Sequence, residues 1–89
     1  EADLQGKNLK GVNLSGANLE KANFNNAYME KINLTGANLS HASLNFANLT
    51  GAKLKGANLG GALLNGTLFI KANLESANLQ AAKAKHANF

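Results

Sequence analysis

Large apolar residues stand at every fifth position of this chain, without a break, from Leu4 to Phe89. Leu fills most of these centres: Leu4, Leu9, Leu14, Leu19, Leu34, Leu39, Leu44, Leu49, Leu54, Leu59, Leu64, Leu74 and Leu79. Phe24, Met29, Phe69 and Phe89 replace it, and Ala84 is the one weak centre. Two residues before each centre sits a small residue, nearly always Ala, as at Ala17, Ala37, Ala57 and Ala77. A polar residue, usually Asn, lies between the two, and Gly clusters two residues after the centre, as at Gly6, Gly36 and Gly66. The eighteen units that result fill the chain.

A helix cannot use this pattern. A five-residue step advances about 140° beyond a full turn at ~3.6 residues per turn, so the Leu stripe would wind around the cylinder. Asn and Gly at this density also disfavour helix. In an extended segment, Ala and Leu two apart point to one side and the Asn between them points to the other. Each unit therefore reads in–out–in, and its last two residues must turn the chain, where Gly tolerates backbone angles that other residues resist.

The number of units per coil is also written in the chain. Gly-Ala-Asn-Leu occurs at 16–19, 36–39 and 56–59, and Ser-Ala-Asn-Leu at 76–79. The true period is twenty, which predicts four units per coil, a square cross-section and about four and a half coils. At ~4.8 Å per coil the stack would be on the order of 22 Å tall. Lys10 falls twenty before Glu30, and Lys55 twenty before Glu75, so opposite charges are expected to meet on neighbouring coils. The Asn columns 18/38/58/78 and 25/45/65 are expected to form outward amide ladders.

With these residues in register, the chain resembles the pentapeptide-repeat proteins, whose consensus is A-[D/N]-L-x-x, over all 89 residues. The resemblance implies an all-β fold: a right-handed quadrilateral β-helix with the centre residue and the preceding small residue inside. Residues 1–89 are then expected to form a single solenoid. Since the chain begins at Glu1 without an initiator Met, we expect it to be part of a larger protein. Lys7 and Thr67 depart from the small inward residue. With Ala84, Lys7 points to frayed ends, whereas the Thr67 hydroxyl is expected to bond the backbone.

Composition narrows the chemistry. There is no Cys, hence no disulfide framework and no thiolate zinc site. His41 and His86 fall on different faces of the square, and the acids Glu1, Asp3, Glu20, Glu30 and Glu75 are scattered. The glycines follow the repeat instead of marking a strand–helix junction, so no phosphate loop is expected. We expect no catalytic residues, no metal site and no cofactor. No apolar run reaches transmembrane length and no signal peptide is visible, so membrane insertion by this segment is not expected.

The net charge of +4 comes entirely from Lys, spread over several faces. Without Arg, and with few outward aromatics, base-edge reading and stacking are poorly supplied, which disfavours nucleic acid as a partner. Some proteins of the resembled family are DNA mimics that bind type II topoisomerases. That role needs a strongly acidic surface, and here the optional Asp survives only as Asp3.

Outward positions are polar nearly everywhere except Tyr28, Phe46, Leu63, Leu68 and Ile70. Counted by twenties, Tyr28, Leu68 and Ile70 share one face, Phe46 sits at the corner leading into it, and Leu63 lies on the adjoining face. Such a cluster is a candidate interaction patch; the structural alternative is that Phe46 folds over its corner to cover the core. The expectation is a rigid scaffold or protein-interaction module, its partner being another protein or a second copy, side by side or end to end. The alternative from a different class is a nucleic-acid or topoisomerase-associated protein. The Asn-rich A-N-L units look cyanobacterial.

Overall fold

The computed structural model describes residues 1–89, which wind as a right-handed β-helix of square cross-section. The strands are so short that pairing runs through single parallel bridges. Each bridge joins an outward residue to the one twenty later, from Asp3↔Asn23 to Leu68↔Asn88. Four columns of bridges define four faces. The first holds Asp3, Asn23, Ser43, Leu63 and Lys83; the second holds Asn8, Tyr28, Asn48, Leu68 and Asn88. Asn13, Asn33, Lys53 and Asn73 make the third, and Asn18, Asn38, Asn58 and Asn78 the fourth.

One unit shows why the fold closes. The five backbone N–H groups of Leu34–Asn38 each find an acceptor. Leu34 and Gly36 donate to the following coil, at Lys53 O (2.7 Å) and Lys55 O (2.9 Å), and Asn38 donates to the preceding coil, at Ala17 O (2.9 Å). Ala37 donates to Leu34 O (3.0 Å) and closes the turn. Thr35 donates to Asn33 Oδ1 (3.1 Å). Three ladder bonds, one turn bond and one side-chain cap thus satisfy the backbone, as burial of polar groups requires.

The turn bond spans four residues, and φ is positive only at the third of them, the signature of a type II turn. Gly is the natural occupant, yet Lys21, Asn26, Lys31, His41, Phe46, Lys71, Ser76, Ala81 and His86 adopt the same conformation, at φ 58–63°. The repeat therefore imposes the turn on side chains that resist it, at a cost of roughly 1–2 kcal/mol where no amide helps.

Ala and Leu columns face inward. From Ala22 to Phe69 every centre and every small inward residue is buried, including Phe24, Met29, Leu34, Leu39, Leu44, Leu49, Leu54, Leu59 and Leu64. Ile32 is wholly buried at an inward position that Ala usually fills. Thr67 is also wholly buried, and its hydroxyl donates to Leu44 O at 2.8 Å. Leu4, Leu9, Leu14, Leu19, Leu74 and Leu79 pack against this core but are only partly buried, because each coil is covered by its neighbours along the stack. Phe89 stacks on Phe69, with ring centroids 4.9 Å apart and planes within 6°.

Three expectations need correction. The ends are not frayed: Lys7 is exposed, yet it donates to Leu4 O (3.1 Å) and accepts from Tyr28 N–H (2.9 Å), and Ala84 O accepts from Ala87 (3.1 Å). The columns 10/30 and 55/75 are aligned, but no ion pair closes in either, and Glu30 Oε1 is buried without a hydrogen-bond partner. A flexible surface pair gains too little to pin two long side chains. The amide ladders are mostly something else. Column 18/38/58/78 makes a single amide–amide bond, Asn78 Nδ2 to Asn58 Oδ1 at 3.2 Å, while column 25/45/65 bonds to backbone.

Because burial falls toward the ends, the same truncation should cost different amounts along the stack. Leu49→Ala is expected to destabilise by about 2–5 kcal/mol, and Leu14→Ala by less than half as much. Urea unfolding of the two variants checks this; equal losses would mean that the first coil is as well covered in solution as the third.

Candidate functional site

The polar residue before each centre has a structural task. Wherever it is Asn or Asp and a turn follows, its Oδ1 accepts the backbone N–H two residues on. This Asx-type bond fills the one backbone site that ladder and turn leave open. A charged oxygen serves as well as a neutral one, since Asp3 caps Gln5 at 3.2 Å and Asn8 caps Lys10 at 3.2 Å.

Six positions forgo the cap: Tyr28, Ser43, Lys53, Leu63, Leu68 and Lys83. Three of them, Ser43, Leu63 and Lys83, stack on the first face, and there the turn asparagines compensate. Asn25 Oδ1 accepts from Asn45 N–H (2.9 Å), Asn45 Oδ1 from Asn65 N–H (2.9 Å), and Asn65 Oδ1 from Lys85 N–H (3.0 Å). Ser43 joins this column by donating its hydroxyl to Asn25 Oδ1. Nothing compensates for Tyr28, Leu68 or Lys53: the backbone N–H groups of Glu30, Ile70 and Lys55 have no acceptor within the protein. Of these three, Tyr28 and Leu68 lie on the second face, and Lys53 lies on the third, across their shared corner.

Four of the six exposed large apolar side chains gather at the same place, the other two, Val12 and Phe89, belonging to the end coils. Tyr28 is 56%, Phe46 67%, Leu68 36% and Ile70 39% exposed, on a chain whose other outward positions are largely polar. Asn48 bridges Tyr28 below and Leu68 above, so the two stand about 10 Å apart on one face, at the coil spacing of ~4.8 Å. Phe46 occupies the corner where the chain enters this face from the first. Its ring lies over Gly66 of the next coil: a Cβ there would come within 2.6 Å of Phe46 Cδ1 and Cε1. Phe46 thus rests on backbone and leaves its outer side to solvent, while Leu44 and Ala47 beside it are buried regardless. It also holds a left-handed backbone conformation, which is unfavourable for a bulky residue. Leu63 is only half-exposed, on the first face next to the column of asparagines. It borders the patch and is not its centre.

Sequence reasoning located the apolar residues but missed the uncapped N–H groups. It also missed Lys31 and Lys71, which stand on the corner between the second and third faces. The signal was available as the short list of units whose polar residue is not Asn or Asp.

Elsewhere the surface holds little convergent chemistry. His41 lies flat over Gly61, as Phe46 does over Gly66, with a Cβ on Gly61 falling 2.5 Å from Nδ1. The consecutive Gly60 and Gly61 leave an open notch beside it, lined by Asn58, Asn78 and Gln80 among others. No three His, Cys, Asp or Glu residues come together as a metal site would require. No helix is long and apolar enough to cross a membrane.

Comparison with protein-family models matches this chain to pentapeptide repeats in 8 copies, through overlapping segments that run from residues 1–30 to 52–89. Comparison with curated protein sequences returns no match. Among solved structures, a pentapeptide repeat protein from the Arabidopsis thaliana thylakoid lumen is 34% identical with a TM-score of 0.88, over 94% of this chain and 62% of its own. A pentapeptide repeat protein from the cyanobacterium Cyanothece 51142 is 37% identical with a TM-score of 0.73, over 99% of this chain and 57% of its own. Another from Nostoc Pcc 7120 is 39% identical with a TM-score of 0.56, over 94% of this chain and 57% of its own. The chain spans about three fifths of the length of these relatives.

Restoring a missing cap should stabilise only where no other acceptor has taken its place. Tyr28→Asn and Leu68→Asn are each expected to add about 0.5–1.5 kcal/mol, read from the urea midpoint. Leu63→Asn is expected to add nothing, since Asn65 N–H already bonds Asn45. An equal gain at all three positions would show that the turn asparagines do not substitute for the cap.

Proposed function

This chain belongs to the pentapeptide repeat family, and we propose that it works as a rigid, non-enzymatic scaffold that binds another protein through its second face. The carrying observation is the coincidence of two features. Tyr28, Phe46, Leu68 and Ile70 form an exposed apolar cluster, and Tyr28 and Leu68 stand where the repeat relinquishes a backbone cap without compensation. A side chain chosen only for the fold would be Asn there. Residues that weaken their own fold while facing solvent are those expected of a binding surface.

The rest of the architecture suits this role. Side chains on a ladder-bonded stack are held at fixed spacing, so a partner meets a preorganised surface and loses little freedom in selecting it. The greater length of the solved relatives supports a solenoid that continues into a longer protein. Direct nucleic-acid binding is less well supported, since the lysines are dispersed and no arginine is present.

The test is the double variant Leu68→Ser with Ile70→Ser. Circular dichroism is expected to be unchanged, because both side chains face solvent, while affinity capture of a partner falls at least tenfold, as for loss of a small apolar hot spot. Unchanged capture by the folded variant would overturn the reading. A titration with duplex DNA at low salt is expected to show no saturable binding.

A further inference from the structure

The charged border of the apolar cluster is mostly basic. Lys31 and Lys71 occupy the same column of the corner by which the chain leaves the second face, with Gly51 between them. Lys31 lies along this corner, its Cγ 3.3 Å from where a Gly51 Cβ would be. Lys53, exposed on the third face, flanks the corner at the intervening coil. The one acid nearby, Glu30, has an oxygen turned into the protein without a partner. Here too the fold is overridden: Lys31 and Lys71 hold a backbone conformation that suits Gly, and Lys53 displaces a capping Asn.

From this we infer that the partner is a protein presenting an apolar surface edged with carboxylates, which seats its apolar part on Tyr28, Leu68 and Ile70 and its acids along Lys31, Lys53 and Lys71. The inference rests on the reading of the second face as the binding face and adds the chemistry of the partner. The uncapped N–H groups of Glu30 and Ile70 border the same corner, and that of Lys55 lies at the next one, beyond the third face. In other units an Asn or Asp oxygen takes that place, so a partner carboxylate supplies the same kind of acceptor. Face to face, a second copy fits poorly, because its second face brings another row of lysines, while its exposed acids Glu1, Asp3, Glu20 and Glu75 lie on other faces and corners. An anionic lipid surface matches the charge, but only Tyr28 and Phe46 stand out from the face, Leu68 and Ile70 each being less than two-fifths exposed, so little apolar surface would enter a bilayer. Insertion into a bilayer needs side chains that protrude.

The probe is a pair of synthetic amphipathic helices, each with a Leu/Phe stripe, one edged with Glu and one with Lys, titrated into the full chain and read by amide chemical shifts. The Glu helix is expected to shift Glu30 and Ile70 and to weaken with added salt, while the Lys helix leaves these amides unmoved. The triple variant Lys31→Gly, Lys53→Asn, Lys71→Gly places a residue favoured by the repeat at each position. It should unfold at higher urea yet bind the Glu helix about tenfold more weakly, three exposed charge pairs being lost. Equal shifts with both helices would overturn the acidic-partner inference and leave the binding face standing. Shifts at these amides with neither helix would remove both. Stronger binding to phosphatidylglycerol vesicles than to the Glu helix, or a dimer in sedimentation that the triple variant abolishes, would also overturn it.

Discussion

Five backbone N–H groups in every five residues need acceptors, and the solenoid depends on finding them. The ladder satisfies three, the type II turn a fourth, and neither can reach the N–H of the first turn residue. Asn before the centre closes this gap from within its own unit. The repeat can therefore be as short as five residues. Without a local cap, a strand this brief would leave one donor in five without a protein acceptor. The Leu columns supply the burial, at about 1.5–3 kcal/mol for each fully buried side chain before entropy is subtracted. The cap lets that burial be collected in a chain that turns every fifth residue.

This division of labour explains what was legible in the sequence. The period of twenty could be read because Gly-Ala-Asn-Leu returns on one face only, and the inward columns because Leu and Ala alternate with Asn. Asn78 and Asn65 look alike in a sequence, yet one caps its own turn and the other accepts from the coil above. Spacing puts them at different positions of the repeat, but only donor and acceptor geometry shows what each one bonds. The expected ion pairs failed for a related reason. Alignment by twenties brings columns together, but it does not fix where long side chains end, and Glu30 turns inward. The apolar patch was legible as a list of residues. Its ranking was not: the cap lost at Leu63 is compensated, whereas those lost at Tyr28 and Leu68 are not.

Some corners show a pairing that single positions do not reveal. Lys21 precedes His41, but at three corners a bulky residue in the left-handed turn position is followed by Gly twenty residues later: Lys31 precedes Gly51, His41 precedes Gly61 and Phe46 precedes Gly66. In the last two pairs a ring lies over the glycine, closer than any Cβ would permit. Gly at these corners thus does two things. It relaxes its own backbone and vacates the space into which the side chain below reclines. Phe46 can be exposed and still held in place because Gly66 is its seat.

Asp3 and the asparagines point to the last step. The cap requires an oxygen in the right place and is indifferent to its charge, since Asp3 Oδ1 holds Gln5 as Asn8 Oδ1 holds Lys10, both at 3.2 Å. A single atom's position satisfies the fold, and the charge attached to it is left over for the surface to use. The same solenoid can then be acidic or neutral along its faces with its core and ladder untouched. This chain took the neutral form nearly throughout, so its surface character comes from the few units that abandon the cap. Tyr28, Leu68 and Lys53 are those units where nothing repairs the loss, and they meet across one corner. A repeat this regular records its function in the places where it is broken.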